Sequence, residues 1–213
     1  MCYSAEVSLI TLIVGLVGSA FVYTLGSAFD RIFALFLGYV SLMQGIELIL
    51  WNHQKCDTFH KKISVLGMLL NLGQPIVLGI LTLIISNRKE FRLEILGILA
   101  LYCLYVIHMF YSYEENLQCT NPRANDPHLV WNWTILDSWR TDWIVYITAA
   151  CLISILGMPT LNQGMIFAGG LFVSMIISII VYPRQDMGAM WCFFSALSPP
   201  IFYFLRKNGL QLV

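Results

Sequence analysis

The chain has 213 residues, 58% of them hydrophobic and only 11% charged, with 12 acids against 12 lysines and arginines. Soluble domains carry about 25% charged residues, so an ordinary water-soluble enzyme is excluded. The same arithmetic excludes a disordered chain, a nucleic-acid binder with a basic face and a secreted disulfide miniprotein, and leaves an all-α polytopic membrane protein.

Charges fall in clusters separated by membrane-length gaps. Val7 to Phe29 carries no Asp, Glu, Lys, Arg or His, and it lacks the basic start of a signal peptide. It therefore reads as the first membrane helix. Ile32 to Trp51 is apolar except for Gln44 and Glu47, and Ile63 to Asn87 is charge-free. Only His108 interrupts Ile95 to Tyr113. Ile144 to Pro183 is uncharged but too long for one helix, and Gly157-Met158-Pro159-Thr160 divides it; Met187 to Leu205 is again free of charge. A spanning helix needs about 20 apolar residues, so the pattern predicts a single seven-transmembrane-helix domain over 1–213, with spans 5–25, 32–51, 63–85, 93–111, 142–157, 164–182 and 188–205. The long loop 112–140 holds Pro122, Asn125-Asp126-Pro127 and Asn132, which favour turns, and Trp131, Trp133, Trp139 and Trp143 mark it as interfacial.

Polar side chains inside the membrane are costly and become the first candidates for function. At 100° per residue Ser64, Gly67, Asn71 and Gln74 share one stripe of the third span, and Gln44, Glu47 and Trp51 share a face of the second. On the fourth, Glu94, Leu101, Tyr105 and His108 align. Glu47 with Gln44, Asn71, Gln74 and His108 is the predicted ligand or ion track, descending from the N-terminal face to the midplane. Interhelical hydrogen bonding is the plain alternative. Small residues form stripes that let helices approach closely: Ser4, Ser8, Thr11, Gly15 and Gly18; Gly38, Ser41 and Gly45; Gly170, Ser174 and Ser178. Asn71-x-x-Gln74-Pro75 and Ser195-x-x-Ser198-Pro199 match in spacing, and each proline frees the carbonyl four residues before it. Two such broken helices fit a parallel transporter repeat or two ordinary kinks.

Outside the membrane, Cys56 and Cys119 are expected to form a disulfide pinning the long loop over the bundle. The alternatives are free thiols and a zinc site from His53-x-x-Cys56-x-x-x-His60 with Cys119 or His128. Lysines and arginines divide six to six between the two faces, so the positive-inside rule ties. Shorter basic loops on the C-terminal face, and Cys2, Cys56, Cys119 and the sequon Asn132-Trp133-Thr134 on the other, favour a non-cytosolic N-terminus and a cytosolic C-terminus.

Met1-Cys2-Tyr3-Ser4, Glu47-x-x-x-Trp51, Asn71-x-x-Gln74-Pro75-Ile76 and His128-Leu129-x-Trp131 together resemble a family of small heptahelical proteins common in large DNA viruses of protists, with looser microbial relatives. The resemblance implies a seven-helix membrane fold and a viral or algal source, and carries over no activity. Retinal is excluded as a cofactor, because no lysine lies within the last span. The leading functional expectation is a small-solute or ion transporter, a channel or a ligand-binding heptahelical protein. Alternatives are a lipid-modifying membrane enzyme using Glu47 and His108 as acid and base, and a non-catalytic receptor-like or virion-envelope protein. The partners this reading admits are the lipid bilayer, a small ligand or ion, and a second copy of the chain.

Overall fold

The computed structural model describes residues 4–114, 119–123, 126–131, 139–181 and 187–209. Cys2, Arg184 and the sequon at 132–134 lie outside them. Among the described residues the chain forms helices α1 (Ala5–Tyr23), α2 (Ala28–Asn52), α3 (Thr58–Leu72), α4 (Gln74–Ile85), α5 (Arg92–Glu114), α6 (Trp139–Gly157), α7 (Leu161–Val181) and α8 (Met187–Lys207). Two short strands, β1 (Pro122–Arg123) and β2 (Asp126–Leu129), pair antiparallel between α5 and α6. The described residues between α5 and α6 thus hold two short strands and no helix, as the prolines imply.

Local chemistry fixes the helix starts. Ser4 Oγ accepts from the Val7 amide, Ser27 Oγ from the Asp30 amide and Asp57 Oδ1 from the His60 amide, each satisfying one of the donors a first helical turn leaves over. α1, α2, α5 and α7 are each long and apolar enough to cross a membrane. α3 and α4 qualify together as a fifth, bent by 46°. Their exposed faces carry Ile10, Ile13, Ile84, Leu93, Leu101, Leu104, Ile177 and Ile180, large apolar side chains that only a lipid environment accepts at this density. The chain is a helical, multi-pass integral membrane protein.

The span expected over 63–85, with its proline break, is the α3–α4 pair. Pro75 has no amide hydrogen to give the Asn71 carbonyl, and its ring clashes with a helical carbonyl there. The break falls at Gly73, where a side chain would collide with the Tyr39 hydroxyl 2.6 Å from the Cβ position. The helix resumes with the Val77 amide donating to the Gly73 carbonyl, and the Leu72 carbonyl stranded by the bend accepts from the Tyr102 hydroxyl of α5 at 3.1 Å. Pro199 and Pro200, by contrast, lie inside an unbroken α8.

Small residues set the packing of α1. Ser8, Thr11, Gly15 and Gly18 are buried as the stripe implies. Gly15 faces Ser41 of α2 and the Ala196 carbonyl of α8; Gly18 faces Pro199 and Pro200. At the other end of α2, fully buried Asp30 accepts the Ser27 hydroxyl at 2.5 Å and the Arg206 guanidinium at 3.2 Å, tying the start of α2 to the end of α8. The α5 face expected to point inward points outward: Glu94, Leu101 and His108 are exposed, and Ile95, Leu99, Tyr102 and Met109 fill the core instead. Trp131 and Trp143 are buried in the core.

Gly15→Ala should cost about 1–3 kcal/mol, because a Cβ would stand 2.8 Å from Ser41 Cβ and 2.9 Å from the Ala196 carbonyl oxygen. Gly97→Ala on the outer face of α5, where a Cβ meets nothing within 4 Å, should be neutral or stabilising. Thermal unfolding of both variants in one detergent makes the comparison.

Candidate functional site

The break between α3 and α4 turns two amide side chains into the bundle. Asn71 ends one helix and Gln74 begins the next, and Gln74 Nε2 donates to Asn71 Oδ1 at 3.3 Å. The Tyr146 hydroxyl of α6 donates to Gln74 Oε1 at 2.5 Å. From α8 the Cys192 thiol lies 3.7 Å from Gln74 Nε2 and 3.8 Å from Asn71 Oδ1. Asn71, Gln74, Tyr146 and Cys192 are all buried, so three segments meet in one polar cluster.

α2 supplies the rest. Glu47 is fully buried and within electrostatic range of Cys192. One turn earlier Gln44 is also fully buried, and neither its amide nitrogen nor its amide oxygen has a hydrogen-bond partner among the described residues. Ser8 of α1 presents a buried hydroxyl, also without a partner among those residues. An unserved buried amide costs about 1–3 kcal/mol. Four of the five expected track residues, Gln44, Glu47, Asn71 and Gln74, are therefore buried on adjoining helices. His108 is not among them. It is exposed on α5, its ring makes no hydrogen bond among the described residues, and the acid–base pairing with Glu47 is not assembled.

The cluster continues outward through aromatic rings. Tyr146 meets Trp191 and Trp143 edge-on at 5.8 and 5.5 Å, and Trp191 Nε1 donates to Ser174 Oγ of α7 at 2.9 Å. Tyr105 donates to the Asp142 carboxylate, joining α5 to α6. Tyr146, Cys192 and Tyr102 escape a reading of sequence alone, since a tyrosine or cysteine among aliphatic residues has no periodic signature. The one available hint was that Pro75 must strand carbonyls for some hydroxyl to serve.

Above the cluster the described part of the long loop is tied to the N-terminal face. Cys56 and Cys119 form the expected disulfide, Cα to Cα 5.6 Å. The next residue, Thr120, gives its carbonyl to His60 Nε2 at 2.9 Å, while His60 Nδ1 faces the His53 carbonyl at 2.6 Å. Carbonyls only accept, so a neutral ring serves one of them at a time. His53 Nε2 contacts Asp57 at 2.9 Å. The Asp57 carboxyl lies below its ordinary range, chiefly because it accepts from the His60 amide, with His53 adding to the effect. Its cap is thus in force above the ordinary carboxylate pKa and is lost as pH falls through the lowered one. These partners occupy His53, Cys56 and His60, and no group of three metal-ligating side chains is gathered among the described residues. The strap ends in Trp131, buried against Gly67 and Ile46 one helical turn above Asn71.

No protein-family model, curated protein or solved structure matches the chain. The class is set by the fold alone: an all-α integral membrane protein with a buried polar cluster beneath a disulfide-bound strap.

Two outcomes follow from this geometry. Gln44→Met keeps the volume and removes two unserved polar atoms, so it should raise stability by about 1–3 kcal/mol in chemical or thermal unfolding. Reducing the Cys56–Cys119 bond should release the strap, seen as a gain in iodide quenching of tryptophan fluorescence that Trp131→Phe removes.

Proposed function

We propose that the chain crosses the membrane seven times, with α3–α4 as one broken span and α6 and α8 as two more, and that it binds and passes a small cation or polar solute through the Gln44–Glu47–Asn71–Gln74 cluster. The orientation is N-terminus out and C-terminus in. The resemblance to small heptahelical viral proteins and the continuity of α8 support the count. The disulfide supports the orientation, since such bonds persist in oxidising compartments.

The single observation that carries the reading is Gln44, whose amide is fully buried and without a hydrogen-bond partner among the described residues, one turn from buried Glu47. A helix that only needed to pack would gain by an apolar residue there. A solute displacing its hydration shell needs a carbonyl oxygen, a carboxylate and amides at membrane depth, which Gln44, Glu47, Asn71 and Gln74 supply. Gly73 and Pro75 put irregular backbone at the same place, as membrane proteins tolerate where it is enclosed or lines a path.

Proteoliposomes loaded with a pH- or cation-sensitive dye test this. Wild type should dissipate an imposed gradient of H⁺, Na⁺ or K⁺ faster than protein-free vesicles, and Glu47→Gln should abolish the flux while melting at the wild-type temperature. Gln44→Met should lower the flux even as it stabilises the fold, the trade-off expected of a functional polar residue. Flux unchanged in both variants would reduce the cluster to a packing device.

A further inference from the structure

The His60 ring is fully buried where α2, α3 and the strap meet, and each of its nitrogens faces an oxygen that can only accept. Nδ1 lies 2.6 Å from the His53 carbonyl at the end of α2. Nε2 lies 2.9 Å from the carbonyl of Thr120, the residue after the disulfide. We propose that His60 is a proton-binding latch: as an imidazolium it donates to both carbonyls and holds the strap on the bundle, and on losing one proton it lets the strap go. The inference is independent of what the polar cluster does.

A neutral imidazole carries one N–H, so it would set a lone pair against one of these carbonyl oxygens. Only the doubly protonated ring serves both, and hydrogen bonds from a charged donor are the stronger kind. The backbone that carries the ring is fixed, with Ser64 Oγ donating to the His60 carbonyl at 3.1 Å and the His60 amide donating to Asp57 Oδ1 at 3.0 Å. Which contact yields follows from the chain. His53 is seven residues from His60, whereas Thr120 is 60 residues away on the strap, so the Thr120 contact is the one lost.

Among the described residues the titratable groups that face the ring are His53 and Asp57. The two histidine rings lie 6.4 Å apart, and His53 Nε2 pairs with Asp57 Oδ2 at 2.9 Å. The Asp57 carboxylate therefore stands beside both rings and offsets a charged His53 and the start of α3, which by itself disfavours a cation. The carbonyl end of α2 favours one. Lys55, Lys61 and Lys62 are exposed, and neither His108 of α5 nor His128 of β2 bonds to the ring. From the strap the contact is neutral, buried Thr120, next to a disulfide that does not titrate. The latch is thus fastened while the ring carries two protons and loosens as rising pH removes one. The Asp57 cap acts in a separate range, failing only as pH falls through its lowered carboxylate pKa.

The test first removes the covalent tie, in Cys56→Ser with Cys119→Ser. Trp131 is then followed in detergent by iodide quenching between about pH 5 and 8, where imidazoles titrate, as the difference from the same protein with Trp131→Phe. Its exposure should rise in one step with pH, the ratio of open to closed strap changing about tenfold for one charge-assisted hydrogen bond. Adding His60→Gln, whose amide does not titrate, should remove the step, and adding His53→Gln should leave it. Nitrogen-15 NMR decides the matter even where His60→Gln fails to fold. The chain has four histidines, so replacing His53, His108 and His128 by glutamine with the disulfide intact leaves His60 as the one labelled ring. It should show both nitrogens protonated at the acid end of the range. Flat quenching, a step that survives His60→Gln or is removed by His53→Gln, or a ring that is neutral throughout overturns the proposal.

Discussion

Inside hydrocarbon every backbone carbonyl must find a donor, and the bend at Gly73 leaves one without its helical partner. The Tyr102 hydroxyl serves Leu72, the helix restarts on the Gly73 carbonyl, and the new start carries Gln74 into the centre of the bundle. Tyr146 and Cys192 then have an amide to meet. Without the proline, Asn71 and Gln74 would be successive rungs of a straight helix. The polar cluster is in this sense a consequence of one missing amide hydrogen.

The two ends of the molecule are closed by different chemistry. At the C-terminal face a buried carboxylate and a guanidinium link α2 to α8, an ion pair that is costly to break because Asp30 would be left charged and enclosed. At the N-terminal face a covalent bond, a histidine between two carbonyls and a buried tryptophan hold a strap whose described residues include two short strands. The first closure joins residues 176 apart in the chain and needs no particular redox state. The second depends on the redox state of its surroundings.

Much of this was legible in the residues. Charge-free runs marked the apolar helices, glycine and serine at helical spacing marked the α1 interface, and Cys56 with Cys119 marked the strap. Gln44, Glu47, Asn71 and Gln74 were recoverable because polar side chains at membrane depth are rare. His108 misled, since a helix wheel orders residues around an axis without saying which side meets lipid. α5 is apolar all round, and its inward face was settled by the fit of Ile95, Leu99 and Tyr102 against neighbours. The stripe holding Gly170, where a Cβ would meet nothing within 4 Å, misled for the opposite reason: smallness permits close approach but does not compel it.

The disulfide also sets an order of events during synthesis. Its cysteines are 63 residues apart, and both precede α6, α7 and α8 in the chain. The strap can therefore be fastened over a half-built bundle. Tyr146 and Cys192 lie in helices made after both cysteines, so a strap fastened early would leave the last helices to complete the interior from the side.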